Sequence, residues 1–281
     1  MRRIALAAMA ALLAAPAMAQ DGTRLPLFEA GIFGGGGWLP DYPAAAQNHA
    51  RGVVLPFLIY RGELLRSDER GLRGRILRGR DLEFSLSFNG SLRASSRDNR
   101  AREGMPDLDY LGEVGPALRW VAWRDGSRRR ITLELPFRAV FSTDFSQTHY
   151  RGYTFAPELA FEQTGLFFPR ARARVGIGPV FGSGRFMDYF YQVRGEFARP
   201  GRPAYDAHGG YLGTRLQFSY RVPVTDRISI GGGGRLENFS GATNADSPLF
   251  RREFNFTLLG GVSFALYRSE ATVASAAEPF D

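Results

Sequence analysis

The chain has 281 residues, a net charge of +8 and 36 basic residues, every one of them arginine, with no cysteine. The lack of thiols excludes a disulfide framework, a thiolate nucleophile, a cysteine-bound metal and a lipidated N-terminal cysteine. The arginines are scattered rather than clustered, so no nucleic-acid footprint is present, and anionic surfaces such as outer-membrane lipopolysaccharide are the partners the charge suits.

Residues 1–19 read as an export signal. Arg2 and Arg3 precede the apolar run IALAAMAALLAAP, and Ala17-Met18-Ala19 supplies the small-x-small pattern, so cleavage after Ala19 is expected. The run is too short to span a bilayer. An exported chain without disulfides must take its stability from a sizeable core or from a membrane.

After the signal the dominant period is two. Residues 27–38 and 52–61 read as strands, while ELLRSDERGLRGRIL at 63–77 is either one short hairpin or irregular. The clearest alternation is DLEFSLSFNGSLRASS at 81–96, where Leu82, Phe84, Leu86 and Phe88 share one face and Glu83, Ser85, Ser87 and Asn89 the other. The same pattern returns at 110–123, 129–141, 153–162, 171–181, 212–221, 228–237 and 254–267.

Several of these runs span 10–15 residues, longer than the about 5–6 of soluble strands and sufficient for the about 9–11 of a tilted membrane strand. Trp38, Trp120, Trp123, Tyr153, Tyr220 and Tyr267 stand near strand ends, as interfacial aromatics do. Short links at 124–127, 164–170 and 223–226 alternate with long ones at 95–108, 143–151, 183–208 and 240–252. Outer-membrane barrels have short periplasmic turns and long external loops. The expected fold is therefore an all-β transmembrane antiparallel barrel over 20–268, with a loose tail at 269–281; parity admits twelve strands or ten, and twelve is the expectation.

The glycine runs GIFGGGGWLPDY (31–42) and ISIGGGGRLENF (228–239) do not cradle phosphate. A phosphate loop needs lysine, and the dinucleotide motif needs a following helix; Gly231–Gly234 instead sit between Ile230 and Leu236 within a strand. The three histidines, His49, His149 and His208, are far apart and have no ligand spacing, so no metal and no cofactor is expected. Charged residues on the wet faces define a candidate lumen: Glu83, Glu113, Arg119, Glu134, Arg138, Glu158, Glu162, Arg172, Arg174, Arg215, Arg235 and Glu237. They form either a selective constriction or a salt-bridged filling, and the filling is expected at 10–12 strands because open channels come with about 16–18.

The segments LPDY (39–42), VLPFLIYRGELL (54–65), LDYLGEVGPALRW (108–120), DYFYQV (188–193), RPAYDAHGGY (202–211) and TDRISIGGGGRLENFSGATNADSPL (225–249), in this order, resemble the MipA/OmpV family of outer-membrane proteins. The resemblance covers essentially the whole mature chain. It rests on Tyr42, Tyr60, Gly62, Glu113, Gly115, Tyr205, Asp206, Asp246, Ser247 and Pro248.

The resemblance implies a barrel without catalytic residues. It also implies a scaffold role between the outer membrane and the murein machinery, with a murein transglycosylase and a murein synthase as partners. A narrow channel for small solutes is the alternative. A lesser one is an omptin-like protease, in which Asp107-Leu108-Asp109 and Asp206-Ala207-His208 would hold a water for general-base attack.

Overall fold

The computed structural model describes residues 24–61, 65–68, 71–74, 77–78, 81–126 and 128–274. The export signal expected at 1–19, Gly62 and residues 275–281 lie outside them.

The chain opens with a short β1 (Arg24–Pro26), then two long strands, β2 (Phe28–Pro40) and β3 (Asn48–Arg61). The stretch at 63–77 contains a hairpin, β4 (Leu65–Asp68) against β5 (Gly71–Gly74), followed by β6 (Leu77–Arg78), which pairs with β7 (Leu82–Ser91). A long up-and-down series continues with β8 (Tyr110–Asp125), β9 (Arg129–Thr143), β10 (Thr148–Phe155), β11 (Glu158–Thr164) and β12 (Arg172–Gly182). It ends with β13 (Gly210–Pro223), β14 (Ile228–Asn238) and β15 (Phe254–Arg268).

These strands form one fourteen-stranded antiparallel sheet in the order β5-β4-β3-β2-β15-β14-β13-β12-β10-β9-β8-β7-β6, with β11 joining β12 and β9. β10 and β11 are two halves of one crossing, because both pair with β9 and β12. The break falls at Ala156-Pro157, where proline has no N–H to give the ladder. Gly178 on β12 faces this break; a Cβ there would sit 1.8 Å from the Pro157 carbonyl oxygen.

Burial is inverted relative to a water-soluble protein. Along β7, Glu83 is 1% exposed and Ser85 is buried, while Leu82 and Phe88 are exposed. Exposed apolar side chains continue round the sheet: Trp120 and Trp123 on β8, Leu159 on β11, Ile177 on β12, Ile230 on β14, Leu258 and Phe264 on β15, Ile32 on β2. Of the aromatics expected near strand ends, Trp38, Trp120, Trp123, Tyr153 and Tyr267 are exposed, while Tyr220 is half-buried and donates its hydroxyl to the Leu166 carbonyl at 2.6 Å.

The sheet is rolled on itself. The loop after β2 and the loop after β7 belong to strands far apart along the long route through β15, β12 and β9. Yet Gln47 Nε2 donates to the Asp98 carbonyl at 2.6 Å, and Asn99 Nδ2 to Asp41 Oδ2 at 2.8 Å. The two ends of the sheet, β5 and β6, are separated in the chain only by Arg75 and Ile76. Part of the segment expected as a loose tail, β16 (Thr272–Ala274), pairs antiparallel with β1 at the end away from the long loops.

Replacing Gly178 with valine should block the approach of Pro157 and cost about 1–3 kcal/mol, as overpacking does. Urea unfolding of the refolded protein in detergent should show the lower midpoint, whereas Gly126→Ala, where a Cβ meets nothing within 4 Å, should lose only what its positive φ demands.

Candidate functional site

The inner face carries a chain of ion pairs. Arg119 on β8 lies with Nε 3.1 Å from Glu134 Oε1 and donates through Nη2 to Glu162 Oε1 at 3.0 Å. Glu162 also accepts from Arg130 Nε at 2.6 Å and lies 3.4 Å from Arg174 Nε. Arg174 in turn pairs with Glu158, which also accepts from Gln217. This places Glu83, Arg119, Glu134, Glu158, Glu162 and Arg174 together, with Glu83 directly opposite Arg119 in the ladder.

Nearer the long loops, Glu113 lies 3.8 Å from Arg138 and accepts from Asn89 and Thr154, while Arg138 donates to Ser87 at 2.7 Å. Arg215 and Glu237, facing each other on β13 and β14, bond at 3.0 Å. Arg235 is half-buried on the same face of β14. Arg172 lies at the opposite end of β12 and is exposed.

The long loops build a cap over one end of the rolled sheet. Its core is Tyr42, Ala44, Ala45, Leu108, Phe186, Met187, Phe190, Tyr191, Phe239 and Leu249, all buried. Four of these belong to α1 (Gly184–Tyr191), a helix within the link that the sequence reading treated as a plain loop. The signal was readable: Phe186, Met187, Phe190 and Tyr191 recur at helical spacing.

Polar residues knit the cap. Asp41, almost fully buried, accepts from His49 Nδ1 at 2.8 Å, Arg51 Nη2 at 2.5 Å and Asn99 Nδ2 at 2.8 Å, joining the loop after β2 to that after β7. Tyr42 donates to the Leu249 carbonyl at 2.7 Å, and Tyr191 to the Pro43 carbonyl at 2.9 Å. Burial pushes the Tyr42 hydroxyl up to about 12 and that of Tyr191 well above its ordinary value, so both remain donors. Arg102 donates to the carbonyls of Phe190 and Pro106 at 3.2 Å, and Arg202 to those of Ala101 and Glu103 at 2.9 Å.

The positions singled out for the family resemblance fall mostly in this cap. Tyr205 donates to Asn244 at 3.3 Å, Asp206 accepts from Gln192, and Ser247 donates to the Tyr191 carbonyl at 2.8 Å beside Asp246 and Pro248. Glu113 and Gly115 lie on β8 and Tyr60 on β3. Asp41, Asn99, Arg102, Arg202 and Asn244 were missed by sequence reading, because a lone polar residue in a loop carries no periodic signal.

The two motifs proposed for a protease are held by different neighbours. Asp107 is held by the Ser96 N–H at 2.8 Å and by Arg93, which keep its carboxyl below the usual range. His208 donates its backbone N–H to Asn244. Among the described residues no hydrogen bond or ion pair links Asp107 or Asp109 to Asp206 or His208.

Apolar side chains turned outward, ion pairs turned inward and a loop cap at one end define a membrane-type β-sheet protein of the barrel class. Within that class, the family model described as MltA-interacting protein MipA matches residues 32–266, and the chain belongs to this family. Among solved structures the chain is similar to an outer membrane channel from Pseudomonas putida F1, with 12% identity over 88% of this chain and 98% of that one and a TM-score of 0.47. It is also similar to a bacterial polysaccharide outer membrane secretin, at 12% identity, 87% and 99% coverage and a TM-score of 0.39. A comparison with curated proteins gave no match.

Two substitutions test the site. Glu162→Gln should strip Arg119, Arg130 and Arg174 of a shared carboxylate and cost about 3–5 kcal/mol in detergent unfolding, as breaking a buried pair does. Asp41→Ala should free the loop at 92–109 and make it cleavable by trypsin in the folded barrel, with the strands still protected.

Proposed function

We propose that this protein is a closed, twelve-stranded barrel of the outer membrane that acts, without catalysis, as a scaffold between that membrane and the murein-remodelling enzymes. Counting β10 with β11, and β5 with β6, as single crossings turns the fourteen strands of the sheet into twelve. The parity then sends the cap loops outward and leaves the short turns, with the β1–β16 ribbon, in the periplasm.

The observation that carries the reading is the cap. Its aromatic core covers one end of the sheet, and beneath it the inner face is cross-braced by ion pairs. A barrel stoppered in this way offers surfaces rather than passage. Membership in a family described by its interaction with MltA supports a periplasmic transglycosylase as the partner, and a murein synthase is the second enzyme such a scaffold would join.

Crosslinking in intact envelopes followed by capture of the mature barrel tests this. Murein transglycosylase and synthase should be enriched over a size-matched control barrel; their absence overturns the scaffold role. Planar-bilayer recordings should give no steady conductance. A stable open level would establish the narrow-channel alternative instead.

A further inference from the structure

On the inner face of β8 to β14, arginines come with carboxylates. Arg119, Arg130 and Arg174 share Glu134, Glu158 and Glu162, Arg138 lies against Glu113, and Arg215 bonds Glu237. Arg235 breaks the pattern. Among the described residues it has no ion pair and no hydrogen bond, and a second cation, Arg215, stands on the neighbouring strand. The ladder explains the proximity: Arg215 faces Glu237 and Gln217 faces Arg235, so the two guanidinium stems are diagonal neighbours on one face.

The nearby carboxylates are already engaged. Glu113 holds Arg138, Glu158 holds Arg174 and Gln217, and Glu237 holds Arg215. A half-buried guanidinium without a counter-ion carries a cost, and its planar fork fits a carboxylate or a phosphate in bidentate fashion. On the side of Arg235 away from the cap, β14 itself adds no side chain to this face at Gly233 and Gly231, and Gly231 pairs with Gly261 of β15, over which the Phe33 ring lies.

The geometry points to an oxyanion-binding site at Arg235, flanked by Arg215 and reached from the uncapped end, that takes the carboxylate or phosphate group of a small solute. The site does not depend on the identity of any protein partner.

Thermal unfolding of the purified full-length barrel in a zwitterionic detergent tests it, with inorganic phosphate and acetate titrated separately against sodium chloride at matched ionic strength. A saturable rise in midpoint with either anion, absent with chloride, is expected; phosphate alone, acetate alone or both would define which oxyanion the fork prefers. Arg235→Gln should abolish that rise and, in chloride, should unfold no earlier than the parent because a repulsive contact with Arg215 is gone. Arg172→Gln, at the far end of β12, should leave the response intact. Equal stabilisation by chloride, or a response that survives in Arg235→Gln, overturns the site. If Arg235→Gln does not refold, Arg235→Lys keeps the charge without the fork and should bind phosphate more weakly; unchanged binding overturns the proposal.

Discussion

The rest of this structure follows from the requirement that no backbone amide be left unpaired in apolar surroundings. A strand with exposed leucines, phenylalanines and tryptophans on one face cannot afford a free edge in such surroundings, so each must have a neighbour on both sides. The long sheet rolls on itself, and its two end strands, β5 and β6, are consecutive in the chain. The outward apolar face, the inward ion pairs and the gathering of loops at one end all follow from that rolled path.

Rolling brings polar side chains face to face, and their charges need partners. Glu162 serves three arginines from three strands, and Asp41 serves two donors from β3 and one from the loop after β7. Such hubs add little net stability over an apolar filling, but they fix which groups meet, because a slipped register would leave a buried charge alone. The cap does the same with tyrosine hydroxyls aimed at distant carbonyls. Its aromatic cluster, from Tyr42 to Phe250, then fills the space between the pinned loops.

The strands were legible because a two-residue period is written into each. Leu82 to Phe88 alternate with Glu83 to Asn89, and the structure turns the first set out and the second in. The tetraglycines also read correctly as strand. The break at Ala156-Pro157 was not seen, since apolar alternation continues through it from Phe155 to Leu159. The strand at 148–152 was assigned to a loop because Thr148, His149 and Arg151 hide its outward Tyr150. The site was legible only as a set of charges: sequence names Arg119, Glu134 and Glu162 but not that they share a hub, which depends on a curvature no local pattern encodes.

The pairing of β2 with β15 sets how such a chain can be made. Trp38 meets Leu258, 220 positions later (258 − 38), and the seam is the longest-range contact between long strands in the sheet. No earlier strand can substitute for β15, so an unfinished chain carries the bare edge of β2 from the start of its synthesis to the end. Contacts this distant form late and slowly. The order of the strands therefore leaves the edge of β2 open to other copies of the chain until β15 arrives.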